Sequence, residues 1–188
     1  TINASDCPNL VLLAANWSMD SLRSVNVNGC TSLEKLSLKQ TYNLTDVQMN
    51  GVTKLRKLSV GASGDPGING PEGTRTFPAQ IYANTDLIVL GWGGQLAPGD
   101  IDLSVFPKLR KAGLQGNKFT SITPDDSTLL FLSKIEGYNN RLSLTNAVNL
   151  ANNTYAGTGQ ALDPQQNDGA IILFSDKFRR SNQISFFV

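Results

Sequence analysis

The feature that most constrains this chain is an apolar spacing that recurs every eleven residues. A leucine is followed three positions later by Leu or Val, and two positions after that by Leu, Val or Met. The successive members are Leu22-Val25-Val27, Leu33-Leu36-Leu38, Leu44-Val47-Met49 and Leu55-Leu58-Val60. One such unit cannot bury its apolar side by itself, so this period predicts a chain wound into stacked turns that share one core.

Pairing the half-units gives full turns that begin at Leu10, Leu33, Leu55, Leu87, Leu109 and Leu132. Side chains alternate along a strand, so the fourth and sixth positions of each turn lie on one face. The spacing predicts parallel strands centred on residues 13–15, 36–38, 58–60, 90–92, 112–114 and 135–137. It also predicts one buried column, made of Leu36, Leu58, Leu90, Ala112 and Ile135.

Two other positions in the repeat carry structural expectations. Trp92 occupies a sixth position, which is buried, so we expect it in the core rather than in a site. Asn117 and Asn140 each follow the first leucine of their turn by eight residues. An Asn at that point can bond backbone groups where the chain leaves the strand.

The segment CTSLEKLSLKQTYNLTDVQMNGVTKLRKLSV resembles the short leucine-rich repeats of bacterial surface proteins, such as those abundant in Bacteroidetes and, more distantly, the internalins. The resemblance covers roughly residues 6–142. It implies a leucine-rich-repeat solenoid of about six turns, with a parallel concave sheet and a mostly irregular convex side. It also implies an extracellular or cell-surface location, a virion surface included. Repeat columns specify a scaffold and leave the ligand open.

Two segments depart from the repeat. The turn that begins at Leu55 carries an insertion, residues 62–76, whose run of Gly and Pro should project without adding a strand. Residues 1–145 are the predicted solenoid, and residues 146–188 a C-terminal loop and β-hairpin cap with strands over Ala170–Phe174 and Ile184–Val188. Alternatively, the last residues lead into a following domain.

Composition excludes several functions. A net charge of +1 gives no reason to expect nucleic acid, and no apolar run is long enough for insertion into a membrane. The absence of histidine removes Ser-His-Asp and Cys-His catalysis and the commonest zinc ligand. Carboxylates do not align in columns, which disfavours a glycan-processing β-helix enzyme. We therefore expect no catalytic residue, cofactor or metal.

The solvent-facing positions of the predicted strands form columns of their own. The third position is basic in four turns, at Lys35, Lys57, Lys111 and Lys134, and the second position, which holds Val11, Glu34, Arg56, Ile88, Arg110 and Ser133, adds two arginines. This stripe indicates either an anionic ligand or a solvated edge that keeps the sheet soluble.

In the middle turns the fifth and seventh positions are mostly Ser and Gly, a floor that could seat an extended ligand between Trp17 and Tyr138. Alternatively, the small residues relieve crowding and Trp17 packs under the N-terminal end. The candidate ligand-binding residues are Trp17, Lys35, Lys39, Lys57, Lys111, Gln115 and Tyr138.

Cys7 and Cys30 occupy the same column of adjacent turns. A disulfide would indicate export, but stacked side chains point the same way, which suits disulfide geometry poorly. A pair of small buried residues is the favoured interpretation.

The sequence therefore favours a non-catalytic binding or adhesion module that recognises a protein or glycan on its concave face. The alternative is a structural spacer or assembly element of a larger surface or virion protein, which contacts partners through its ends. The repeat pattern does not specify an oligomeric state.

Overall fold

The computed structural model of the chain is a parallel β-solenoid of about five turns with almost no helix. It describes residues 1–17, 21–41, 43–61, 77–125, 128, 132, 134–137, 140–143, 145–146 and 171–173. The sequence predicted about six turns, one for each opening leucine. Six such leucines enclose five complete turns between them, which accounts for the difference. Among the described residues, one short 3-10 helix, Ala79–Ala83, stands beside the strands.

One side of the solenoid is a parallel sheet of seven strands, here called the long sheet. Its strands, in spatial order from the N-terminal end, are β2 (Leu12–Ala14), β4 (Lys35–Lys39), β6 (Lys57–Gly61), β7 (Val89–Gly93), β9 (Lys111–Gly113), β11 (Lys134–Glu136) and β12 (Ile171–Leu173). The long sheet corresponds to the predicted concave face.

The register of the long sheet confirms the predicted column. Leu13, Leu36, Leu58, Leu90, Ala112 and Ile135 are Cα partners in succession. All but the first are fully buried, while Lys35 and Lys57 beside them are exposed. Leu13 is only partly buried because no strand covers β2 on its other side among the described residues.

The opposite side is more regular than the predicted convex side. It holds a three-stranded parallel sheet of β1 (Ile2–Asn3), β3 (Ser24–Asn26) and β5 (Asp46–Gln48), and a pair of β8 (Pro98–Asp102) with β10 (Lys118–Thr123). The half-units explain this: Val25 and Val27 alternate with polar residues and are fully buried, which is strand periodicity. The prediction of a mostly irregular side is wrong over these residues.

A column of polar side chains closes the turn after four of the long-sheet strands, β4, β7, β9 and β11. Asn117 donates through Nδ2 to the carbonyls of Trp92 (2.6 Å) and Leu114 (2.9 Å) and accepts from the N–H of Ala97 (3.0 Å). Asn140 bonds Leu114 and Phe119 in the same way, as the sequence predicted. Thr41 and Gln95 take this place in earlier turns and also bond strand carbonyls. These bonds satisfy backbone groups that would otherwise be buried without partners.

An aromatic cluster surrounds Phe77, the first described residue after the insertion. The Phe77 ring is 5.5 Å from Trp92 and 5.6 Å from Tyr82, measured between centroids, and Tyr82 stacks on Phe106 at 5.7 Å. Trp92 is 2% exposed, which confirms it as a core residue. The insertion, residues 62–76, lies outside the described residues, so its predicted projection stays a prediction.

The C-terminal segment is described only at Ile171–Leu173, which pairs in parallel with β11 and lies within the predicted strand Ala170–Phe174. The second predicted strand, Ile184–Val188, lies outside the described residues. The predicted hairpin cap therefore remains a prediction.

The two cysteines are free thiols in different surroundings. Cys30 is fully buried, donates to the carbonyl of Ala4 at 3.0 Å, and has its pKa raised by that burial. Cys7 is exposed, so the interpretation of a buried pair is wrong at this position. Cys7 lies in the first of the described turns, and no other described turn covers the column on its outer side.

Candidate ligand-binding face

The basic stripe is formed by strand register. Lys35 and Lys57 are Cα partners on β4 and β6, and Lys111 and Lys134 are partners on β9 and β11. Val89 on β7 separates the two pairs. The side chains of Lys35, Lys57 and Lys111 are exposed, as predicted. Parallel strands lie about 4.8 Å apart, so Lys35 and Lys57 place two like charges side by side.

This arrangement costs free energy, because like charges directly opposite each other on neighbouring strands repel. Lys35, Lys57 and Lys111 form no ion pair with any residue that the structure describes. By contrast, Lys108 donates to Asp86 at 2.5 Å at the neighbouring edge, and this hydrogen bond and charge lower the pKa of the Asp86 carboxyl. Lys35, Lys57 and Lys111 thus present positive charge to solvent without an ion-pair partner among the described residues.

The basic pair Lys35 and Lys57 belongs to a groove of about 550 Å³ along the edge where the long-sheet strands begin. Apolar side chains lie along it beside the charged ones. Its lining consists of Val11, Leu12, Glu34, Lys35, Arg56, Lys57, Ile88 and Arg110. A surface of this kind suits a ligand with both acidic and aliphatic groups.

A second depression, of about 290 Å³, lies further along the same face. It brings together the predicted residues Lys39, Lys111 and Gln115, with Glu136 beside them. Its floor includes Gly91 and Gly113, which the sequence placed there.

Packing accounts for the glycines of the floor. A Cβ at Gly61 would collide with the carbonyl oxygen of Gly93, and a Cβ at Gly93 would lie 2.8 Å from Nε2 of Gln115. The Gln115 side chain therefore covers the floor, and its buried Oε1 has no hydrogen-bond partner among the described residues. Of the two interpretations of the small residues, this geometry favours relief of crowding at Gly61 and Gly93.

Trp17 lies at the N-terminal end of the face with 69% of its surface exposed. Its backbone N–H donates to the carbonyl of Lys39 at 2.8 Å, and its φ of 65° turns the chain out of the strand. The alternative in which Trp17 packs under the end of the solenoid is therefore wrong. Tyr138, the aromatic predicted at the other end, lies outside the described residues.

The structure adds residues that the candidate set omitted. Arg56, Arg110 and Ile88 line the groove although they precede their strands by one residue. The second position of the repeat identified these residues as a column, but strand alternation alone directed attention to the third, fifth and seventh positions. The usable signal was the adjacency of two basic residues, as in Arg56-Lys57 and Arg110-Lys111.

The described residues contain no group of three or more acidic or cysteine side chains placed to hold a metal ion. Within the same part of the chain, no helix is long and apolar enough to cross a membrane. Compared with known proteins, the chain matches no family model and no curated sequence.

Proposed function

We propose that this chain is a non-catalytic binding module of the leucine-rich-repeat type, which recognises an acidic partner along the basic stripe of the long sheet. The repeat length of 22–23 residues, the buried leucine columns and the Asn117 and Asn140 bonds support the repeat assignment. The resemblance to bacterial surface repeats supports an extracellular or surface location.

The observation that carries the proposal is that Lys35 and Lys57 lie side by side in the groove and have no ion-pair partner among the described residues. Repulsion between neighbouring lysines is relieved when an anionic group binds between them, so a ligand gains this free energy in addition to its own contacts. Val11, Leu12 and Ile88 favour a protein segment with aliphatic side chains over a purely polar glycan.

Charge reversal tests the stripe. A screen of surface proteins and a glycan array supplies the ligand, and the triple variant Lys35→Glu, Lys57→Glu, Lys111→Glu is then compared with the unaltered chain. We expect affinity to fall at least tenfold, because the attractive charges are reversed. The salt dependence of binding should also weaken, because salt acts by screening exposed charges, beyond about 10 Å at 0.1 M.

The matched control carries Arg23→Glu, Lys54→Glu and Arg141→Glu, which change net charge equally at exposed positions outside both depressions. It should bind like the unaltered chain. An equal loss of affinity in both triple variants would show that only the net charge matters, and it would contradict a binding site on the stripe. Binding to the glycan array but to no surface protein would show that the ligand is a glycan and not a protein.

A further inference from the structure

The middle turns of the solenoid repeat one order of side chains in two parallel rows along the basic stripe. The rows are Lys57-Val89-Lys111, which are Cα partners in succession on β6, β7 and β9, and Arg56-Ile88-Arg110, which immediately precede these strands and line the groove. Both rows therefore run basic, aliphatic, basic along the solenoid axis.

The two kinds of side chain also differ in exposure. The four basic residues are exposed, whereas Ile88 and Val89 between them are only partly buried aliphatic residues. A ligand that matches this order places one aliphatic group between two acidic groups, because potentials and apolar surfaces across an interface are complementary.

The spacing of the rows selects a conformation for the ligand. Neighbouring strands lie about 4.8 Å apart, so the basic groups at the two ends of a row are about 9.6 Å apart. In an α-helix, residues i, i+3 and i+7 share one face and span about 10.5 Å. In an extended peptide, side chains on one face repeat about every 6.8 Å, so three of them span about 13.6 Å. The helix therefore fits the rows to within about 1 Å, and the extended peptide exceeds them by about 4 Å.

The backbone beside the groove also favours a helix. In each of these turns, two successive N–H groups donate to one carbonyl of the preceding turn. The pairs are Arg56 and Lys57 to Glu34, Ile88 and Val89 to Arg56, and Arg110 and Lys111 to Ile88, at 2.8–3.2 Å. Strands β6, β7 and β9 each have a strand on both sides, so they offer no edge with which an extended ligand could pair. A peptide lying across them would cover its own polar backbone groups without partners, whereas a helix bonds its own.

We propose that the partner segment on the basic stripe is an amphipathic α-helix that lies in the groove along the solenoid axis, with acidic, aliphatic and acidic residues at positions i, i+3 and i+7. Its aliphatic residue packs on Ile88 and Val89. Its two carboxylates lie beside Lys57 and Lys111, which have no ion-pair partner among the described residues. This inference rests on the proposed function, because it specifies the structure of the acidic partner.

Three synthetic peptides of about eighteen residues test the helix. The matched peptide carries Glu, Leu and Glu at i, i+3 and i+7 of an alanine–glutamine sequence with blocked ends. The first control moves Leu by two residues, to the opposite side of the helix, and the second has Pro on both sides of Leu, which breaks the helix. In a nuclear magnetic resonance titration of the unaltered chain, we expect half-saturation by the matched peptide below about 1 mM. Both controls should bind at least tenfold more weakly.

A pair of chain variants locates the helix in the groove. Ile88→Asp places a negative charge between the two carboxylates of the matched peptide, so its affinity should fall at least tenfold. Thr85→Asp adds the same charge at an exposed position of the same turn outside the groove and should leave the affinity unchanged. Circular dichroism spectra of both variants should match that of the unaltered chain, and the comparison of peptides needs no variant.

Equal binding by the proline peptide would show that the ligand is extended, and equal binding by the peptide with the displaced Leu would show that only its charge matters. Either result would overturn the helix. If the matched peptide does not bind but reversal of Lys35, Lys57 and Lys111 still removes a ligand found by the screen, the helix is wrong and the acidic partner stands. If that reversal has no effect either, the proposed function itself is wrong.

Discussion

At the scale of single residues, the sharpest contrast in the long sheet is between Leu58 and Lys57, which are neighbours on β6. Leu58 is fully buried in the central column, and Lys57 is exposed. Leu58→Ala should cost roughly 2–5 kcal/mol, because it removes buried methyl groups and leaves a cavity. Lys57→Ala should change stability by less than about 0.5 kcal/mol. Urea unfolding of both variants measures the difference, and similar losses would contradict the register.

Two glycines test crowding against backbone strain. Gly61 and Gly99 both have positive φ, 107° and 96°, but a Cβ at Gly61 meets the Gly93 carbonyl, whereas one at Gly99 has nothing within 4 Å. Each alanine variant bears a conformational cost of about 1–3 kcal/mol. Gly61→Ala should lose about 1–3 kcal/mol more, the usual cost of overpacking. Equal free energies of unfolding for the two variants would show that strand β7 shifts freely.

At the scale of elements, the insertion at residues 62–76 should be separable from the fold. Joining Ser63 to Thr74 deletes Gly64–Gly73 and keeps Phe77, whose ring packs on Trp92 and Tyr82. Loop-closure entropy changes little with such a deletion, so we expect nearly the same free energy of unfolding. Phe77→Ala should instead cost up to roughly 3–5 kcal/mol, the range for removing a packed aromatic ring, because this partly buried ring packs against the core. Unfolding of the deletion variant at much lower urea would place the insertion in the core.

The strands of the long sheet were predictable because their buried positions are aliphatic in nearly every turn, which leaves one register that buries Leu36, Leu58 and Leu90 together. The opposite side was harder. Its half-units bury Val25 and Val27 with the same period, but the strands there are as short as two residues, so the sequence does not distinguish them from irregular turns.

The basic stripe followed directly from the columns. The groove did not, because its lining combines residues on the strands with residues just before them, such as Arg56 and Ile88, and their side chains meet only once the turns stack. The covering of Gly93 by Gln115 also depends on a side-chain conformation that no spacing encodes.

At the scale of the whole molecule, stability should fall towards the N-terminal end. A solenoid is stabilised by contacts between neighbouring turns, and among the described turns the first has a neighbour on one side only. The amide proton of Ala15, bonded to Ser37 at 2.9 Å, should therefore exchange faster than that of Gly94 after correction for intrinsic rates. Uniform protection would mean that the solenoid opens as a single cooperative unit.

The extended strands on both sides of the solenoid have a consequence for its curvature. A solenoid bends when its two sides advance by different distances per turn, as when helices packed 8–10 Å apart oppose strands about 4.8 Å apart. Here strands oppose strands from Ile2 to Gln48, and again from Pro98 to Thr123. Both sides therefore advance by about the same step over these two stretches, and we expect little curvature within each. Lys35 and Lys111 are three strand spacings apart, about 14 Å along the long sheet, so a partner that contacts both must extend over that length.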